Sequence, residues 1–188
     1  MSTGPIILDG VLPEAMEKEI EDVLLGFRFP WFYYPNTNDR ALSTQQGDAP
    51  QFVHGFIQDG KPFSEWAGLA ESVVARLGLD KRDIIRAKAN MLGRERQPLT
   101  HPPHTDDEAP HWVMIYYVNN ADGDTCLFED GAVTGRITPK RGRFAIFDGR
   151  REHASSSPVE APFRGILNFN LRKTVPAALL AGLREKAR

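Results

Sequence analysis

Apolar positions recur at helical spacing near the ends of the chain and at strand spacing between them. From Pro13 to Leu25, Met16, Ile20, Val23 and Leu24 fall on one stripe, Glu14 lies in the first turn, and Gly26 follows as a stop. Pro62 to Leu77 places Trp66, Leu69, Ala70, Val73 and Leu77 on one face, closed by Gly78. A weaker helical pattern runs from Val175 to Lys186. Ile84 to Leu92 alternates, with Ile85, Ala87, Ala89 and Met91 on one face and Arg86, Lys88 and Asn90 on the other. Trp112 to Val118 is almost wholly apolar or aromatic, as in a strand covered on both faces. Thr125 to Glu129, Arg143 to Asp148 and Arg164 to Leu171 read as further strands, and Asn119 to Asp124 as a turn. The pattern predicts a mainly β fold, a jelly-roll-like double sheet backed by N-terminal helices.

Two polar stretches interrupt it. Pro35 to Pro50 is rich in Asn, Thr, Ser, Gln, Gly and Asp, and Trp31, Phe32, Tyr33 and Tyr34 precede it. Gly93 to Pro103 contains Arg94, Arg96, Gln97 and His101. The first is expected to be a lid or a surface loop beside an aromatic cluster, the second part of the rim of a site.

With 188 residues the chain is expected to form one domain, 1–188. A single cysteine, Cys126, rules out a disulfide framework within one chain and predicts a reducing, cytoplasmic compartment. No signal peptide and no membrane-length apolar run is evident. A net charge of −2 with interspersed signs argues against nucleic acid or anionic lipid as a partner.

The chain holds one His-x-Asp, His104-Thr105-Asp106. In an extended segment, residues two apart project to the same side, so this imidazole and carboxylate can meet at one point. His153, after the strand ending at Asp148, is the candidate third donor. Two histidines and one carboxylate on one face of an octahedron form the facial triad of Fe(II) oxygenases, although Mn, Co, Ni or Zn can bind the same donors. On the next strand Arg164, Ile166, Asn168 and Asn170 share one face, a polar row on an otherwise buried strand. A buried arginine calls for an anion, either a structural carboxylate or a ligand's. His54, His101 and His111 lack this spacing; His101 is read as supporting or solvent-facing, the others as structural, and Cys126 as core.

In this order — His-x-Asp, Ile115-Tyr116-Tyr117-Val118-Asn119, Asp122-Gly123-Asp124-Thr125, His153, Arg164 — the sequence resembles the 2-oxoglutarate/Fe(II) dioxygenases of the prolyl 4-hydroxylase-like branch. The resemblance covers about Ile84 to Arg172. It implies a double-stranded β-helix with His104, Asp106 and His153 as iron ligands. It further implies that Arg164 grips the far carboxylate of 2-oxoglutarate, with Tyr117 on the same carboxylate. Asn90 stands near the position where many hydroxylases carry a tyrosine, and Asn90 and Asn168 are the remaining candidate co-substrate contacts. The implied reagents are Fe(II), 2-oxoglutarate and dioxygen, with ascorbate as a candidate reductant. The implied reaction is hydroxylation of a C–H bond in a prolyl or other protein or peptide side chain. A small-molecule hydroxylase, a nucleic-acid dealkylase of the same superfamily and a non-catalytic jelly-roll binding domain stand as alternatives. Oligomeric state is not legible.

Overall fold

The computed structural model describes residues 4–37 and 48–173. The helix expected at Val175–Lys186 and residues 38–47 of the expected lid lie outside them. In chain order the described residues form β1 (Ile6–Leu8), α1 (Glu14–Leu24), β2 (Phe32–Tyr34), β3 (Gln51–Gln58), β4 (Lys61–Pro62) and α2 (Ala67–Arg76). There follow β5 (Ile84–Gly93), β6 (Leu99–Thr100), β7 (His111–Tyr117), β8 (Thr125–Glu129), β9 (Ala132–Ile137), β10 (Phe144–Asp148), β11 (His153–Ser157) and β12 (Phe163–Arg172).

The strands make two antiparallel sheets. The major sheet runs β1-β10-β7-β12-β5-β3-β2, with β4 beside β3, and the minor sheet runs β6-β11-β8-β9. Strand parity then separates two cores. On one face of the major sheet Ala87, Ala89, Leu167, Phe169 and Tyr116 pack under the helices with Ile20, Leu24, Ala70 and Val73. On the other, Val113, Ile115, Tyr117, Ala145 and Ile166 meet Leu127 and Ile137 of the minor sheet. The expected double sheet backed by helices is the observed architecture.

α2 begins five residues later than its periodicity predicts. Lys61 and Pro62 pair with Gln58 and Ile57, and Phe63 N–H donates to Phe56 O. A proline that cannot extend a ladder is tolerated on this short edge strand. The strands missed by pattern lack alternation for local reasons. β3 buries Gln51 and His54. His54 bonds to Pro30 O and Ser64 Oγ at 2.8 and 2.9 Å, so a polar residue serves as packing. β9 is an edge strand, exposed for most of its length. β11 reads His-Ala-Ser-Ser-Ser, a turn composition, yet it is paired on both sides by β6 and β8. Two of its serines are satisfied sideways, Ser156 by Thr100 and Ser157 by His101, both at 3.0 Å. The aromatic run also departs from simple core packing. Trp31 packs on Phe29, but Phe32, Tyr33 and Tyr34 are 60, 64 and 41% exposed.

Candidate metal centre

His104 and His153 face each other across a single antiparallel bridge. Each backbone N–H donates to the other's carbonyl, at 3.0 and 2.9 Å. Residues opposed in this way project to the same face, and the imidazole centroids lie 4.8 Å apart. Two residues on, Asp106 points back to the same place. One ligand atom each from His104, Asp106 and His153 lies within 4.8 Å of the others. The three donors expected from the sequence therefore converge, although His104 and His153 lie 49 positions apart.

Nδ1 of His153 lies 3.2 Å from Arg151 O, and Nδ1 of His104 lies 3.4 Å from Pro102 O. A carbonyl only accepts, so Nδ1 carries the hydrogen in both rings and Nε2 keeps its lone pair for a ligand bond. Burial pushes the His153 pKa down to about 4, only partly offset by Asp106, so the ring is neutral at pH 7. Burial opposes ionisation of Asp106, but His153, protonated at the low pH where this carboxyl titrates, and the Arg86 and Lys88 cations outweigh it. Its carboxyl is held below the ordinary carboxylate range. Two imidazoles that each turn Nε2 inward and one carboxylate suit a divalent first-row metal.

Arg86 Nη2 donates to Asp106 Oδ1 at 2.6 Å, and Asn168 Nδ2 donates to Oδ2 at 3.3 Å. Oδ2 is the oxygen nearer His153 Nε2, at 3.9 Å. Arg86 thus occupies one oxygen and leaves the other on the histidine side. Arg86→Gln is expected to weaken iron binding about 10- to 100-fold, the range for supports of this kind, while the fold is retained. Calorimetric iron titration checks this, and unchanged affinity would make the pair purely structural.

Arg164 is 2% exposed. Its Nε donates to Gly123 O at 2.7 Å, its Nη2 to Thr125 Oγ1 at 2.6 Å, and the Tyr117 ring packs against the guanidinium at 5.5 Å. No carboxylate of the described residues lies within salt-bridge distance of it; Asp124 attracts it from further away. The structure places the Tyr117 hydroxyl on Thr125 Oγ1, at 2.7 Å. Thr125 was not singled out in the sequence, and its role follows from counting. A hydroxyl has two lone pairs and one hydrogen. Tyr117 and Arg164 fill the lone pairs, so the Thr125 hydrogen is left to donate elsewhere. Thr125, Arg164, Asn90, Asn168 and the three converging donors all line one pocket, with Ile115 and Ile166 as its apolar wall.

The turn Asp122-Gly123-Asp124 carries the carbonyl that anchors Arg164. Asp122 accepts from the backbone N–H groups of Val159, Glu160 and Ala161 at 2.7, 3.0 and 2.9 Å. These bonds draw its pKa down to about 2. A Cβ on Gly123 would collide with the backbone at Ser156–Pro158. Gly123→Ala is therefore expected to destabilise by about 1–3 kcal/mol, read as a lower thermal midpoint, and to shift the carbonyl on Arg164.

The expected rim is differently placed. Arg94, Arg96, Gln97 and His101 do not line the pocket; Thr37 and Gln51 do. His101 is buried, with Nε2 3.0 Å from Ser157 Oγ and Nδ1 3.1 Å from Asp48 Oδ1, the latter off the line of a good hydrogen bond. Asp48 also accepts from the Thr37 hydroxyl at 2.6 Å. This buried row ties β11 to the segment entering β3. His111 is structural, its Nδ1 2.7 Å from Ala109 O, and Cys126 is buried.

No family model and no curated protein matches the chain. Solved structures do. An oxidoreductase of the 2OG-Fe(II) oxygenase family from Burkholderia pseudomallei superposes with a TM-score of 0.65 at 14% identity, covering 89% of this chain and 84% of that one. A Pseudomonas putida prolyl-4-hydroxylase gives 0.62 at 12% identity, covering 90% and 93%. A Trichoplax adhaerens prolyl hydroxylase, solved with a hypoxia inducible factor peptide fragment, gives 0.60 at 14% identity, covering 98% and 87%. With both sheets matched over nearly the whole chain, and with the His-x-Asp and distant His brought together at the mouth of the double sheet, this chain has the fold of the 2-oxoglutarate/Fe(II) oxygenases.

Proposed function

We propose that the chain is an Fe(II)- and 2-oxoglutarate-dependent oxygenase that hydroxylates a C–H bond of a protein, peptide or small-molecule substrate. The observation that carries this reading is Arg164, a buried guanidinium with no carboxylate partner among the described residues, in the same pocket as a facial donor set. A buried charge of this kind is costly unless a ligand completes it. His104 and His153 would hold the metal through Nε2, and Asp106 through the oxygen that Arg86 leaves open. Arg164 and the Thr125 hydroxyl would hold the far carboxylate of 2-oxoglutarate, and Tyr117 would act one bond removed, by fixing Thr125. When bound, Fe(II) would activate dioxygen, the oxidant: 2-oxoglutarate would give two electrons as it becomes succinate and carbon dioxide, the C–H bond would give the other two, and one oxygen atom would end in succinate and the other in the new hydroxyl. Ile115 and Ile166 keep water from the reacting end. The prolyl hydroxylases among the similar structures support a peptide side chain as one substrate class.

The test is succinate formation from 2-oxoglutarate by the Fe(II)-loaded protein. Removal of the iron with a chelator should stop it, and Fe(II) should restore it where Zn(II) does not. A protein that neither turns over 2-oxoglutarate nor binds it in the Fe(II) form would be a jelly-roll binding domain instead. Thr125→Val should weaken 2-oxoglutarate binding about tenfold, the scale of one lost hydrogen bond to a charged group; unchanged affinity would remove Thr125 from the site.

A further inference from the structure

The orientations of two amides in the metal pocket are determined by their partners. Gln51 Nε2 donates to Asn36 O at 3.0 Å, and a backbone carbonyl accepts only. Gln51 must therefore present Oε1 to Asn90, which donates Nδ2 to it at 2.7 Å. That leaves Asn90 Oδ1 as a bare acceptor. Asn168 has to turn Nδ2 toward the Asp106 carboxylate, which leaves Asn168 Oδ1 bare as well. Both oxygens are buried and neither has a hydrogen-bond partner. Both side chains line the pocket, at 8 and 7% exposure. Leaving two buried acceptors unsatisfied is expensive, so a donor has to reach them. Ionised 2-oxoglutarate offers carboxylate and keto oxygens, all acceptors, and cannot supply it. The geometry thus points the two Oδ1 atoms at the substrate, and leaves only the second Nδ2 hydrogen of Asn90 and of Asn168 for the co-substrate role expected of them.

The same sheet face continues outward from these residues. Asn90 is opposite Val53 and Lys88 is opposite Gly55, while Phe32 is opposite Val53 and Tyr34 opposite Gln51. Directly opposed residues share a face. An apolar groove of about 500 Å³ lies on it, lined among others by Phe32, Tyr34, Ile57 and Phe63, with Arg86 and Lys88 at its inner end. Lys88 lines the metal pocket too, and Arg86 is the residue bonded to Asp106. Phe32 and Phe63 are 60 and 71% exposed, an unusual concentration of apolar surface.

We propose that the substrate is an apolar molecule or side chain with an N–H or O–H donor beside the C–H bond that reacts. Asn90 Oδ1 and Asn168 Oδ1 take the donor, and the aromatic groove takes the apolar body. This deepens the oxygenase reading and rests on it. A prolyl ring in a peptide has no N–H, so a prolyl residue does not satisfy these oxygens by itself.

The experiment uses the full chain with Fe(II) and 2-oxoglutarate. The visible charge-transfer band of the Fe(II)–2-oxoglutarate complex is recorded first without oxygen; its absence would reject the oxygenase reading before any substrate is added. The probes are aromatic and branched aliphatic amides and alcohols, each paired with its N- or O-methylated counterpart. With oxygen, donor-bearing members should stimulate succinate formation at KM values about a hundredfold below their methylated partners, since a site built around a donor rejects analogues lacking it. Asn90→Leu should keep the band and narrow that ratio to about threefold or less. Phe32→Ser, on the exposed edge, should raise KM for the aromatic probes about tenfold with the band unchanged. Equal stimulation by donor-bearing and methylated probes would show that ordered water satisfies the two oxygens, and would overturn the proposal. So would stimulation by none of them while the band is intact, or loss of 2-oxoglutarate affinity in Asn90→Leu.

Discussion

Asp106→Ala is expected to abolish succinate formation and to lower iron affinity by at least about a hundredfold, beyond the usual effect of removing a supporting residue. The substitution removes one of three converging donors. It also removes the acceptor of Arg86 Nη2, which is bonded to the carboxylate at 2.6 Å on a side chain 19% exposed. Losing that half of a largely buried pair costs about 1–3 kcal/mol of stability, less than the full penalty of a wholly buried pair because some solvent reaches it. Iron analysis after anaerobic loading, succinate assay and thermal denaturation measure the three effects separately. Arg86→Gln is the companion variant, since it leaves the donor set whole. Asp106→Ala protein with full iron occupancy and normal succinate production would sink the metal assignment.

Arg164→Ala should weaken 2-oxoglutarate binding by about two to three orders of magnitude. The expected scale is that of truncating one member of a buried, hydrogen-bonded charge pair. Within the protein the guanidinium uses Nε on Gly123 O and Nη2 on Thr125. Its remaining N–H groups are left for a ligand's carboxylate. Arg164→Lys should recover little, because an ammonium on a flexible stem cannot bond Gly123 and Thr125 and still offer a planar fork. Iron affinity should change far less than 2-oxoglutarate affinity in both variants, which separates a co-substrate anchor from a general collapse of the site. Calorimetric titration of the Fe(II) protein with 2-oxoglutarate measures this. Wild-type affinity in Arg164→Ala would place the carboxylate elsewhere.

Short-range spacing in the chain is enough to specify elements and donors that lie within a few residues of one another. The stripe of Met16, Ile20, Val23 and Leu24 specifies α1, and the long apolar run specifies β7, buried on both faces. His-x-Asp puts two donors on one side of an extended segment, and the polar row headed by Arg164 marks the inner face of β12. Tertiary structure decided what depends on partners remote in the chain. β3 and β11 are strands because neighbours pair them, despite compositions that read as mixed or turn-forming. The bridge between His104 and His153 exists only once the minor sheet has formed. Thr125 becomes a donor toward the pocket only because Tyr117 and Arg164 have filled its lone pairs. Asn90 likewise becomes an acceptor because Gln51, bound to Asn36 O, claims its nitrogen. Residue type and spacing limit which hydrogen bonds a side chain can make; which of them it has left for a ligand depends on the partners that the folded sheets bring to it.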